Sequence, residues 1–164
     1  MTTSKRNGWI GLAAMVVLGI GCVWGSDPLY RAIDKMMPKA EPKTALADGT
    51  YQWEDSQFDD SGFKNVVTVT VTDGRIETVS WDCVNADGAG KKELSEAGSY
   101  IMTESGPLWS EQSASLAEYV IQNQTTEGLM NAEGKCDAIA SVSIHINGFV
   151  SAVEECLKQA EAVN

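Results

Sequence analysis

The chain is poor in the residues that most metal and nucleophile chemistry requires. His145 is the single histidine, so a histidine-based metal site or a Ser-His-Asp triad has one residue to build on at most. The four cysteines, Cys22, Cys83, Cys136 and Cys156, form no Cys-x-x-Cys pair and no Cys/His spacing of the kind that holds zinc. Basic residues are scarce: 12 Lys plus Arg stand against 23 Asp plus Glu, a net charge of −11. From Asp48 onward the count is 20 acidic to 6 basic, a net of −14. A surface of that sign repels phosphodiester backbones and anionic lipid head groups, so nucleic acid is not an expected partner. The plainest reading of the acidity is solubility of an exposed domain.

What is present begins with a targeting device. Lys5 and Arg6 precede the uncharged run WIGLAAMVVLGIGCVWG, Trp9 to Gly25, which ends at Asp27 and Pro28. The run lies between the ~7–15 apolar residues of a cleavable signal and the ~20 of a spanning helix. Gly19, three residues before Cys22, makes a poor lipobox. Ala45-Leu46-Ala47 has the form of a cleavage site but lies too far downstream. We therefore expect an uncleaved signal anchor over residues 1–25, its basic end inside, a proline-bearing spacer over 26–47, and an extracytoplasmic domain over 48–164. With 164 residues, 43% of them hydrophobic, the chain suffices for one ordinary core. In an oxidising compartment, Cys83, Cys136 and Cys156 allow one disulfide and leave one thiol over, with three pairings open.

Within the domain, Asp48-Gly49 signals a turn, and Thr50 to Trp53 alternates as a first strand. NVVTVTVTDGRIETVSWDCVN reads as two strands joined at Asp73-Gly74, a hairpin from Asn65 to Asp82. A two-residue loop would set Val71 opposite Ile76, Val69 opposite Thr78, Thr70 opposite Glu77 and Val66 opposite Trp81. A loop and short helix follow in NADGAGKKELSEAGSY. A helix comes next, with Ser110 as its N-cap, Leu116, Tyr119 and Val120 on its apolar face and Gly128 near its end. Cys136 to Val142 reads as a buried strand. A last helix from about Ser143 or His145 would carry Phe149, Val153, Cys156, Leu157 and Ala160 on one face. The expected fold is α+β: an antiparallel sheet with a central hairpin packed against two or three helices, preceded by the membrane anchor helix.

The segments GTYQ, GFKNVVTVTVTDGRIETVSWDCVNADG, KKELSEAGSY, WSEQSASLAEYV and CDAIASVSIHINGFV together resemble the bacterial FMN-binding domain of membrane-anchored and lipoprotein electron-transfer proteins. The resemblance runs from about Asp48 to Gln159. In covalently flavinylated members, a motif of the form Asp-Ala-(Val/Ile)-Ser-Gly-Ala-Thr is recognised by a flavin transferase, which esterifies the threonine with the phosphate of FMN. Here Asp137, Ala138 and Ile139 match. Ala140 replaces the serine, Ser141 the glycine, Val142 the alanine and Ser143 the acceptor threonine. A residue with a Cβ at Ser141 hinders any positive φ or close approach that the glycine serves.

The resemblance implies a membrane-tethered FMN electron carrier, more carrier than independent enzyme, with a membrane reductase or quinone-linked donor as partner and a flavin transferase acting on Ser143. Residue chemistry supplies a reason. A helix starting at Ser143 would direct unpaired N–H groups at a phosphate on its hydroxyl; its other reading is an N-cap. Asp137 reads equally as a turn cap. Trp81, Trp109 and Tyr100 suit either a flavin ring or a core, Lys91 and Lys92 either a phosphate or a solvated loop, and His145 a capping or exposed position. Two other functions fit the same residues: a flavin-free envelope structural or interaction protein, or a noncovalent binder of FMN or another small ligand.

Overall fold

Asp73 and Gly74 both take left-handed φ, +52° and +71°, the geometry of a two-residue hairpin loop whose twist matches its strands. In the computed structural model, which describes residues 40–102 and 104–161, they join β2 (Phe63–Thr72) to β3 (Arg75–Asn85). β1 (Gly49–Glu54) pairs antiparallel with β2, giving a three-stranded sheet in the order β1-β2-β3. The Asp48 carboxylate accepts from the Gly74 N–H at 2.8 Å and ties the turn to the start of β1.

The hairpin register departs from the simple two-residue ladder. Val71 lies opposite Ile76 as expected, but the pairing then slips, so that Thr70 faces Thr78, Val69 faces Val79 and Val67 faces Trp81. Glu77 is the extra residue of a bulge. The slip moves Trp81 and Cys83 onto the face that carries Val67, Val69 and Val71, and all five are buried. Without the bulge Trp81 would stand on the opposite face of the sheet.

Three helices follow: α1 (Lys91–Glu96), α2 (Trp109–Asn123) and α3 (Asn147–Glu161). α2 packs on β3, and α3 on β1 and β2. The stripe of α3 reads Phe149, Val150, Ala152, Val153, Cys156 and Ala160, all buried, with Leu157 half-buried at its edge. Full burial of a side chain the size of Phe149 contributes about 1.5–3 kcal/mol. α2 begins one residue before the expected cap: Leu108 precedes it, and its N–H donates to the Glu111 carboxylate at 2.8 Å. α2 ends at Gln124, left-handed at φ +57° and short of Gly128. The buried Gln124 amide accepts from the Ile76 N–H at 2.8 Å and donates to the Ile76 carbonyl at 2.9 Å, fastening the hairpin to α2.

Two expectations need correction. Cys136–Val142 is not a strand: Cys136 makes an isolated bridge to Met130, and the chain then turns, with the Val142 N–H on the Ile139 carbonyl at 3.1 Å. No neighbouring strand runs long enough there to extend the pairing. The last helix starts at Asn147 instead of Ser143 or His145, because the Lys135–His145 bridge and the Ile146 N–H bond to the Gly134 carbonyl commit the preceding backbone to non-helical partners.

The expected anchor and most of the spacer lie outside the described residues. Among the described residues no helix is long and apolar enough to cross a membrane. The end of the spacer, from Ala40 onward, belongs to the domain's compact unit. Leu46 is buried in the core, and the Ala47 N–H bonds the Ala160 carbonyl at 3.1 Å.

Candidate functional site

The bulge sets up the site by carrying Trp81 and Cys83 to the core face at the open end of the hairpin. There Cys83 lies opposite Asn65. The Asn65 Oδ1 accepts from the Trp81 indole N–H at 2.9 Å and from the Cys83 thiol at 3.3 Å. Its Nδ2 donates to Asp55 at 2.6 Å. The Asn65 amide rests directly on the first turn of α3, where a Cβ on Gly148 would come within 2.4 Å of its nitrogen. Only glycine allows that approach. The Trp81 ring packs against Trp109 at 4.9 Å and Phe149 at 5.0 Å between centroids.

Lys91, the first residue of α1, is 8% exposed. Its ammonium lies over the Phe63 ring at 4.3 Å and the Tyr100 ring at 5.2 Å from their centroids. It makes no hydrogen bond or ion pair with any described residue. Asp59 is committed elsewhere: its Oδ1 accepts from the Ser61 N–H, the Ser61 hydroxyl and the Phe63 N–H at 2.9, 2.7 and 2.9 Å. Burial pushes the Asp59 carboxyl up, but those donors and the Lys91 charge outweigh it and hold its pKa below the ordinary value. Lys92 is outside the lining; its N–H donates to the Asp82 carboxylate at 3.1 Å.

These groups surround a cleft of about 400 Å³ lined by Trp81, Trp109, Tyr100, Lys91, His145 and Asn147, with Asp59, Asn65, Cys83, Ile144 and Gly148 completing it. The size falls in the ordinary range for a small-molecule site. Aromatic side chains, a buried cation and a helix start together suit a ring ligand that carries an anionic group.

Trp81, Trp109, Tyr100, Lys91 and His145 are thus brought together, whereas none of the motif residues Asp137 to Ser143 lines the cleft; Ser143 is joined to it only through its neighbour Ile144. Asp137, Ala140, Ser141 and Ser143 are exposed on the loop before α3, and Val142 is buried. The Asp137 carboxylate accepts from the Asn131 amide at 2.9 Å. Ser141 has no positive φ, so its Cβ costs the turn nothing, and Val142 is accommodated in the core. Ser143 is not a helix cap. Its N–H donates to the Gln112 Oε1 at 2.8 Å, and the Ile144 N–H reaches the same oxygen at 3.3 Å. Gln112, 1% exposed on α2, also donates to the Pro107 carbonyl at 3.1 Å. This buried amide holds Ser143 at the edge of the cleft, next in sequence to Ile144 of its lining.

Sequence reasoning missed Gln112, Asn65 and Gly148. Gln112 had a signal: it occupies the buried stripe of α2, three residues after Trp109 and four before Leu116.

Among the described residues no disulfide is formed, and Cys83, Cys136 and Cys156 are free and buried. They have separate neighbours: Asn65 for Cys83, the Val67 carbonyl for Cys156 and the Met130 bridge for Cys136. Burial, reinforced by Asp82, Asp59 and Asp55 against the opposing Lys91 charge, pushes the Cys83 thiol up to about 12. Burial pushes the Cys156 thiol up to about 11. Neither is a nucleophile near neutral pH.

No family model matches the chain, and no curated protein does. Solved structures do. A crystal structure of a Clostridium perfringens protein, a structural genomics target, is similar at 27% identity and a TM-score of 0.59, covering 73% of this chain and 92% of its own. A solution NMR structure of a Clostridium thermocellum protein, also such a target, is similar at 37% identity and a TM-score of 0.51, covering 70% of this chain and 92% of its own. With that identity over that share of its length, the chain belongs to the same family as the Clostridium thermocellum protein.

Proposed function

We propose that the domain is a flavin carrier: the cleft binds FMN, and the chain, tethered by residues 1–25 on the extracytoplasmic side of the cell membrane, relays electrons from a membrane reductase or quinone-linked donor. The observation that carries the reading is the cleft itself, where Trp81, Trp109 and Tyr100 wall about 400 Å³ beside the buried, unpaired Lys91. A bound flavin supplies the redox chemistry, and the chain's residues bind it, orient it and set its exposure. Ser143 is the proposed attachment point. Its hydroxyl stands on an exposed loop, held only by a long 3.5 Å bond to the Gln112 Oε1 that a modifying enzyme would displace, while Gln112 also fixes its backbone. In the attachment step the Ser143 Oγ–P bond forms, and an activated flavin phosphate releases its leaving group together with the hydroxyl proton.

Producing the full chain alongside an active flavin transferase tests the proposal. The expected product has a denatured band that fluoresces under ultraviolet light and an intact mass raised by one FMN less one water, both lost in Ser143→Ala. A yellow protein that releases its flavin on denaturation would select noncovalent binding, for which the in-cleft cation is the supporting observation. A colourless protein of unmodified mass would refute the flavin reading and leave the flavin-free envelope protein in its place.

A further inference from the structure

We infer that the cleft contains its own phosphate subsite, formed by the Lys91 ammonium and the open N–H groups at the start of α3, so that it selects phosphorylated ring ligands without any bond to Ser143. The inference rests on the flavin reading only for the identity of the ring.

Lys91 is the first of two independent observations. Its side chain is more than nine-tenths buried and lines the cleft, and its three ammonium donors meet no acceptor among the described residues. The Phe63 and Tyr100 rings hold the charge from one side at 4.3 and 5.2 Å but accept no conventional hydrogen bond. A buried ammonium in that condition is costly unless an anion completes it. Asp59, whose carboxylate lines the same cleft and feels the Lys91 charge, makes no hydrogen bond or ion pair with the ammonium.

The second observation is α3, a 15-residue helix whose first turn opens into the same cleft through Asn147 and Gly148. The Ile146 N–H is bonded to the Gly134 carbonyl and the Val150 N–H to the Ile146 carbonyl, but the N–H groups of Asn147 and Gly148 find no acceptor among the described residues. Gly148 lacks a Cβ, and the Asn65 amide lies against it. A phosphate oxygen placed here would meet backbone donors and the positive end of the helix dipole, with Lys91 as counter-ion from α1.

The test titrates the full chain, produced without a flavin transferase, with FMN, with riboflavin and with inorganic phosphate. Tryptophan fluorescence and calorimetry report binding. FMN should bind at least about tenfold more tightly than riboflavin, the difference expected of charge-assisted hydrogen bonds, and inorganic phosphate should compete with FMN. Lys91→Met should remove the discrimination, and Lys91→Arg should keep most of it. Equal affinity for FMN and riboflavin in the wild-type chain, with no competition by phosphate, would overturn the subsite while leaving the flavin reading intact. Phosphate binding that Lys91→Met abolishes, in a chain that binds neither flavin, would uphold the subsite and sink the flavin reading. Absence of binding by all three would overturn the subsite. The wild-type comparison decides the matter even if Lys91→Met fails to fold.

Discussion

Replacing Gln112 with methionine should destabilise the domain and loosen the loop that presents Ser143, without leaving a large cavity. The Gln112 amide is 1% exposed and satisfies four groups: the Ser143 N–H at 2.8 Å, the Ser143 hydroxyl at 3.5 Å, the Ile144 N–H at 3.3 Å and the Pro107 carbonyl at 3.1 Å. Methionine keeps the length and flexibility of the side chain and removes every one of these bonds. At about 1 kcal/mol net per good hydrogen bond and little for the longest, two good bonds and two long ones amount to about 2–3 kcal/mol. The exposed position of Ser143 pulls the figure toward the lower end, because water can reach its freed N–H. With a urea slope of about 2 kcal/mol per molar, the unfolding midpoint should fall by about 1 M with the slope unchanged. Hydrogen exchange supplies a second readout, in which the Ser143 amide should lose protection more than amides in β2. A midpoint within about 0.2 M of wild type, with Ser143 still protected, would refute the claim that Gln112 anchors this loop.

Other expectations follow from the same geometry. Gly148→Ala sets a helix-propensity gain of up to about 1 kcal/mol against overpacking of about 1–3 kcal/mol. The Asn65 contact at 2.4 Å is held from behind by Asp55 and Trp81, so the variant should be less stable in urea and weaker in FMN binding. Cys83, its thiol pushed up to about 12, should react with iodoacetamide at pH 8 about a thousandfold more slowly than an ordinary thiol, and at the ordinary rate in urea; fast native labelling would contradict its burial. Asp59 titrates below its ordinary 3.8 in the folded protein, so its stabilising effect is full above that value and is lost as pH falls through the folded pKa. Asp59→Asn should therefore flatten the stability profile below about pH 4, and an unchanged acid slope would argue against the Ser61 and Phe63 bonds.

Much of the fold was legible because local chemistry left few options. Asp73-Gly74 supplied the two positive φ values that a two-residue turn needs, and the α3 stripe repeated at helical spacing from Phe149 to Ala160. The bulge was also legible in principle: the apolar positions Ile76, Val79, Trp81 and Cys83 are spaced three, two and two, and that odd first interval is one extra residue. Assuming a regular ladder put Trp81 on the wrong face. The segment Cys136–Val142 misled because apolar, β-branched residues mark burial as readily as strand, and strand propensity is realised only beside a partner. The start of α3 was misjudged for a related reason: Ser143 is a good cap by type, but tertiary bonds to Gln112 and Gly134 keep the chain out of the helix until Ile146. Long-range contacts such as Asn65 on Gly148 join residues 83 positions apart and leave no pattern in one sequence.

The central claim, that the cleft between the hairpin and α3 holds FMN, is most directly tested by equilibrium dialysis of the full chain against FMN with the visible spectrum recorded. Retention of one equivalent per chain with a perturbed flavin spectrum, weakened by Trp109→Ala, is the predicted result. Equal FMN on both sides of the membrane, from a folded chain that also carries no covalent flavin, would contradict it.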